Sequence, residues 1–205
     1  MAAILTTQQL CQFLRRRHEN TGAADEWVYY EEVATSTGAR VESYLDAWAM
    51  ALWPSAGYMR ITYEIKVSRA DFAKEVAKPQ KRKLGLLYST HFYFVTPKGL
   101  LKTAEVPAEC GLLEFDEDGT CYVPVAAPRR DTHPPTWAFF ASLMRQSQRL
   151  ADDRVRARIR REFDGQEVAI QREKQRLDDA RTQLRQERDR FYQERMGTNV
   201  NHSQR

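Results

Sequence analysis

The chain has 205 residues, 42% hydrophobic and 29% charged, with a net charge of +4; this allows one ordinary domain plus an appendage and suits a polyanionic partner. No stretch approaches about 18 apolar residues, and the apolar run at Met1–Leu5 gives way at once to Thr6, Thr7 and Gln8. Neither a membrane span nor a signal peptide is expected, and the chain reads as soluble and cytoplasmic, in a bacterium or a phage-infected host cell.

The charge is unevenly spread. All four tryptophans and most other aromatics precede residue 148, whereas residues 148–195 hold 14 Lys/Arg against 11 Asp/Glu. A globular domain followed by a long polar helix accounts for the contrast. Cys11, Cys110 and Cys121 form no C-x-x-C pair, which argues against a zinc ribbon or an iron–sulfur cluster and for reduced thiols.

In chain order, residues 6–18 read as a helix. Leu10, Phe13 and Leu14 keep i, i+3, i+4 spacing, and Arg15, Arg16 and Arg17 crowd the end where positive charge suits the helix dipole. A loop around Gly22 follows. Residues 27–33 are apolar up to the pair Glu31 and Glu32, and a polar turn contains Gly38. Residues 44–53 have strand-like content, with a reversal at Trp53, Pro54 and Gly57. Residues 60–68 are the clearest strand: Ile61, Tyr63, Ile65 and Val67 share one face, and Arg60, Thr62, Glu64, Lys66 and Ser68 the other. Ser68 with Asp71 three residues on predicts a capped helix that pauses near Pro79. A second helical stretch over 80–88 leads into His91–Val95, whose near-continuous apolar run predicts a strand buried on both faces. Gly111–Phe115 and Thr120–Val125 predict a closing hairpin. The prolines at 128, 134 and 135 mark residues 127–136 as a linker after a domain over 1–126. Residues 137–195 are helix-permissive, and 196–205 read as a disordered tail. Phe163, Ile170, Leu177, Leu184 and Phe191 recur every seven residues, the spacing of a weak coiled-coil seam that predicts a homo-oligomer or a partner protein along this helix.

The chemistry gathers on the strand at 60–68. Glu64 and Lys66 share a face about 7 Å apart by strand rise. A carboxylate can hold a hard divalent cation, which neutralises phosphate charge and lowers the pKa of a bound water. A lysine beside it can orient that water or stabilise charge on the phosphate. A second carboxylate is needed, and Asp46, in an otherwise apolar stretch, is the candidate, because an aspartate there needs compensation. The E-x-K triplet alone carries no weight, since chance supplies about 0.6 in a chain of this composition. Its weight comes from its place on an alternating strand, after a strand-borne aspartate and before a capped basic helix.

These residues also carry a resemblance. Tyr44–Met50, Leu52–Ser55, Gly57 and Tyr63–Arg69 with Asp71 and Phe72 resemble the PD-(D/E)xK nuclease superfamily, and within it MmcB-like DNA-repair proteins and related phage-encoded nucleases. Phe92–Pro97, Val106, Pro107 and Cys110–Leu113 fit the same pattern, so the likeness spans roughly 27–126. It implies an α/β, restriction-endonuclease-like core, a mixed central sheet flanked by helices, that cleaves DNA with Mg2+ or Mn2+. Asp46, Glu64 and Lys66 would be catalytic, and Asp46, Glu64 and the Ile65 backbone carbonyl would bind the metal. Leu45 stands where the superfamily name has proline. Many members add an acidic residue from the first helical region, for which Glu32, ahead of Glu31, is the match; a solvated carboxylate is the other reading of Glu32.

Between Ser68 and Lys83 stand six cations, Arg69, Lys74, Lys78, Lys81, Arg82 and Lys83, against Asp71 and Glu75. Such a cluster suits phosphate contacts in DNA, or is an ordinary solvated helix face. The expectation is a metal-dependent deoxyribonuclease in DNA repair, recombination or phage DNA processing. The alternative is a catalytically inactive DNA-binding or assembly protein with the same fold, its C-terminal helix serving as the interaction module.

Overall fold

A computed structural model describes residues 5–19, 26–37 and 43–200, the last seven by backbone alone. The loop at Gly22, the turn at Gly38 and residues 201–205 lie outside the described residues. The chain divides into two units, Met1–Gln148 and Arg149–Arg205.

Unit 1 is an α/β domain around a six-stranded mixed sheet. It runs α1 (Thr7–Arg17), β1 (Trp27–Ala34), β2 (Tyr44–Ala51), β3 (Arg60–Ile65), α2 (Arg69–Val76), α3 (Lys83–Tyr88), β4 (His91–Pro97), β5 (Gly111–Phe115) and β6 (Cys121–Val125), and then enters α4 (Trp137–Val200). Strand order in space follows the chain. β1, β2 and β3 pair antiparallel, β3, β4 and β5 pair parallel, and β6 returns antiparallel. The parallel step from β3 to β4 requires a crossover, and α2, a 3-10 turn at Pro79–Arg82 and α3 make it.

Local chemistry explains the element ends. Thr6 caps α1 in a reciprocal box with Gln9, which satisfies two otherwise orphaned donors. The β2–β3 reversal is a 3-10 turn at Pro54–Ala56, closed by Gly57 at φ 61°, a left-handed backbone that glycine adopts without a Cβ clash. At the start of α2 the Ser68 hydroxyl accepts the Asp71 N–H at 3.2 Å and donates to Asp71 Oδ2 at 2.9 Å. Asp71 thus braces the capping hydroxyl rather than reaching the cap backbone.

The odd residues of β3 behave as their alternation requires. Ile61, Tyr63 and Ile65 pack with Leu10 and Leu14 of α1. The even face is not the solvated one that its polar residues suggested. Thr62 is fully buried, its hydroxyl 2.6 Å from Ser89 Oγ and 3.3 Å from the Gly85 carbonyl. A Cβ on Gly85 would stand 2.9 Å from the Phe92 ring and 3.0 Å from Thr62, so the missing side chain is what lets α3 lie on the sheet. With both faces covered, β4 is buried along most of its length, as strands inside parallel sheets are.

The α1 face encloses a histidine. His18 is buried, with its ring 4.7 Å from that of Trp27 and its Nε2 2.8 Å from the Tyr63 hydroxyl. Burial, helped by Arg17, holds its pKa down at about 4. An unfolded histidine titrates near 6.5, so between roughly pH 6.5 and 4 the unfolded chain takes up a proton that the folded one refuses. Stability from this group is complete above the window and falls with pH through it, by about 3 kcal/mol at its lower end. Urea unfolding at pH 7.5 and 4.5 should show that His18→Gln removes most of this acid sensitivity relative to wild type.

Two expected boundaries move. Residues 127–136 are not a free linker: Arg130 N–H donates to the Thr90 carbonyl at 3.0 Å, His133 N–H to the Leu87 carbonyl at 3.2 Å, and Arg60 to the Thr132 hydroxyl at 2.6 Å. These hydrogen bonds hold the segment against the domain. The first turns of α4 belong to the core as well. Phe139 is 1% exposed, stacked on Tyr88 at 4.5 Å and edge-on to Trp48 at 5.9 Å. The domain therefore ends at Gln148 rather than at residue 126.

Unit 2 continues α4. The helix runs to Val200, so residues 196–200 are not part of a disordered tail. Phe163, Ile170, Leu177, Leu184 and Phe191 are all at least 55% exposed along it. Ion pairs such as Arg158–Glu162 at 3.4 Å add a few tenths of a kcal/mol each.

The three cysteines are free thiols. Burial pushes the pKa of Cys11 up to about 11 and that of Cys110 to about 12, which leaves both protonated and unreactive at neutral pH.

Candidate active site

The site forms where β2 and β3 part. Their ladder is regular from Met50↔Arg60 to Ala47↔Tyr63 and stops there. Beyond it, the Asp46 side chain takes the place of a backbone partner: the Ile65 N–H donates to Asp46 Oδ2 at 2.8 Å. The β1–β2 ladder breaks at the same level. Glu31↔Ala47 and Val33↔Leu45 pair, while Glu32, at φ 51°, does not pair with Asp46 opposite. Val33 and Leu45 then pack with Tyr30 and Trp48, although strict alternation would send them to the other face. Strained backbone of this kind, about 1–3 kcal/mol for a non-glycine residue, concentrates at functional sites.

Glu64 and Lys66 meet at this break. Lys66 Nζ lies 2.5 Å from Glu64 Oε1, with the two side chains 13% and 16% exposed. Burial, and then the neighbouring Asp46 carboxylate, push the Glu64 pKa up to about 7 against the pull of Lys66. Burial works against the Lys66 ammonium, but the carboxylates of Glu64, Asp46 and Glu75 outweigh it and raise its pKa. Glu75, which the sequence reading placed only among the charges of the basic segment, is the residue that reading missed. It is 5% exposed on α2, with Oε2 3.8 Å from Lys66 Nζ. The signal for it was its spacing: Phe72 and Glu75 are i and i+3, and both are buried positions of α2. A glutamate in an apolar stripe is seldom buried without a cationic partner.

The donor set fits a hard divalent cation. Asp46, Glu64 and the Ile65 carbonyl offer oxygen, and the raised Glu64 pKa reflects first its burial and then the Asp46 carboxylate, which Lys66 does not fully offset. Among the described residues no group of three His, Cys, Asp or Glu side chains could hold a metal ion. Mg2+ is commonly held by one or two protein carboxylates, with water and substrate phosphate completing its shell. Glu32 lies on β1 and is exposed, which leaves it as either a further carboxylate for the site or a solvated one. Glu31 is committed elsewhere, to Arg15 at 2.9 Å.

The six cations do not form one surface. Arg82 is 4% exposed, donating from Nη1 to the Glu75 carbonyl at 2.9 Å and from Nη2 to Glu109 at 3.1 Å. It ties α2 to the crossover and cannot meet a phosphate, a correction to its expected DNA role. Arg69 pairs with Glu105 and donates to the Leu100 carbonyl at 2.9 Å, and Lys74 pairs with Asp71 at 3.4 Å. Lys78, Lys81 and Lys83 are exposed on the crossover. Arg82→Ala should therefore lower stability in urea by about 2 kcal/mol, the cost of losing charge-assisted hydrogen bonds and the packing of a buried stem. The same unfolding measurement on Lys81→Ala should show less than about 0.5 kcal/mol.

No family model matches the chain, and no curated protein does. A solved structure similar to it is the SPO1766 protein of unknown function from Silicibacter pomeroyi, at 24% sequence identity and a TM-score of 0.48, covering 76% of this chain and 92% of that one. No helix among the described residues is long and apolar enough to cross a membrane.

Proposed function

We propose that this chain is a metal-dependent deoxyribonuclease with a restriction-endonuclease-like core, in which Asp46, Glu64 and Lys66 carry the chemistry. The observation that carries the reading is the convergence of these three side chains at the parting of β2 and β3, where the carboxylates of Asp46, Glu64 and Glu75 outnumber the Lys66 ammonium. Asp46, Glu64 and the Ile65 carbonyl would hold Mg2+ or Mn2+, which supplies Lewis-acid stabilisation of the phosphate and an acidified water. The chain's own work is positional. The Ile65 N–H fixes the Asp46 carboxylate, and Lys66 places a positive charge beside Glu64, where charge develops on a phosphodiester. The exposed lysines Lys78, Lys81 and Lys83 would contact the DNA backbone without reading sequence. The role would lie in DNA repair, recombination or phage DNA processing.

A panel of labelled single-stranded, duplex, nicked and flapped DNAs tests the reading. Cleavage should require Mg2+ or Mn2+, stop in excess EDTA, and be supported poorly by Ca2+, whose larger and looser coordination positions a water less well. DNA binding without cleavage under every metal would favour the inactive binding or assembly protein, with the exposed apolar column of α4 as its interaction surface. Cleavage unchanged by EDTA would exclude the metal site.

A further inference from the structure

Lys66 stands between two carboxylates, and the unequal distances define what each can do. Its ammonium is 2.5 Å from Glu64 Oε1 and 3.8 Å from Glu75 Oε2. The first is a full charge-assisted hydrogen bond; the second is an ion pair just short of one. If Glu64 is a metal ligand, its carboxylate cannot serve a cation and keep a close ammonium bond on the same oxygen without competition between two positive charges. A lysine released from Glu64 with no other acceptor would be a buried ammonium without a partner, which costs several kcal/mol. Glu75 is already in place to prevent that. It comes from α2, an element separate from β3, which bears Glu64 and ends one residue before Lys66, so it need not move with them. Its helix is anchored from behind, because the buried Arg82 guanidinium donates to the Glu75 backbone carbonyl and pairs with Glu109. Nothing in the packing of Phe72, its neighbour on the same stripe, calls for a carboxylate at position 75; an apolar side chain would fill that position at no desolvation cost.

We propose that Glu75 is a positioning residue that takes over the Lys66 ammonium when Glu64 binds a divalent cation. The handover frees Glu64 for the ion and keeps Lys66 charged and directed along the same edge of the site. This rests on the nuclease reading only through the assignment of Glu64 as a ligand, so metal binding can test it without any turnover.

The experiment is Mn2+ titration of the full chain, followed by the electron paramagnetic resonance signal of free Mn2+, for wild type, E64Q, E75Q, K66M and K66M/E75Q. E75Q should weaken Mn2+ binding about tenfold, because Lys66 then stays on Glu64 and competes with the ion. In the K66M background the same substitution should change the Kd by no more than about threefold, since there is no ammonium left to transfer. An equal factor in both backgrounds would overturn the proposal and make Glu75 a ligand or a bare counter-charge for the ion. Binding that E64Q abolishes but E75Q leaves unchanged would overturn the handover alone. Absence of Mn2+ binding in wild type, or binding indifferent to E64Q, would overturn the metal-site reading and the handover with it. Circular dichroism checks each fold. Should E75Q not fold, E75D serves in its place: it keeps the charge but draws it back by a methylene, and about a threefold loss is expected, with no loss counting against the proposal.

Discussion

Glu64→Gln should abolish DNA cleavage, by at least about 10³-fold, while making the metal-free protein more stable. In the proposed reading the loss follows from removing a ligand of the divalent ion, which would carry the transition-state charge. The gain follows from the sign of the Glu64 shift. Its folded pKa is pushed up to about 7 by burial and by Asp46, whereas an unfolded glutamate titrates near 4.3. Between those values the folded chain holds a proton that the unfolded one has released, so stability falls as pH rises through the window and the whole penalty is present at pH 8. An uncharged isostere removes it, for up to about 4 kcal/mol and about 10 °C in Tm at pH 8, shrinking toward nothing at pH 4.5. Lys66 is not stranded by the change, because Glu75 remains 3.8 Å away. Lys66→Met should lose cleavage by about 10²–10³-fold and move stability the other way, because it leaves the Glu64 and Glu75 carboxylates without their shared ammonium. If both side chains were solvated, truncating them would leave stability nearly unchanged. Their 13% and 16% exposure is why opposite stability changes are expected instead. Paired cleavage assays and thermal melts check both variants, and near wild-type cutting by E64Q would show that the chemistry lies elsewhere.

A chain cut after residue 135 should not fold as the full chain does, whereas a chain cut after Gln148 should keep the domain and its metal response. The difference is the start of α4. Removing Phe139 strips the rings of Tyr88 and Trp48 of their partner, and Phe-to-Ala losses in cores cost about 3–5 kcal/mol, a large part of a domain's stability of about 5–15 kcal/mol. The same cut also deletes the Gln146 side chain, which donates to the Glu31 carbonyl at 2.5 Å beside the break in β1. Urea unfolding of the two truncations, with Phe139→Ala in the full chain as the single-residue equivalent, decides the point. Light scattering on the full chain and on the 1–148 form then reads the role of the exposed column from Phe163 to Phe191. A larger assembly for the full chain alone would assign self-association to it, and equal monomers would leave it to another partner.

Where local chemistry decides, the sequence was sufficient. The Thr6 cap of α1, the alternation of β3, the Ser68 start of α2 and the doubly buried β4 depend on residues within a turn or two of one another. The Glu64–Lys66 pair is of this kind, since residues i and i+2 share a strand face whatever lies above it. What lies above that face is a different matter. Alternation sorts side chains into two faces without saying which is solvated, and only α3, seated over Gly85, makes Thr62 a buried residue. The six cations from Arg69 to Lys83 count the same in a sequence wherever their side chains end up. Only the approach of Glu109 and of the Glu75 carbonyl makes Arg82 an interior residue and leaves Lys78, Lys81 and Lys83 outside. Phe139 was invisible as a core residue for the same reason, because its partners lie in other elements, and the spacing of Phe72 and Glu75 put Glu75 on a buried stripe without naming Lys66 as its partner. Asp46 completes the set: its place at the site rests on the parting of β2 from β3, which hands its carboxylate the Ile65 N–H. Contacts between residues far apart in the chain depend on how whole elements pack, and packing sums over surfaces that no local spacing records.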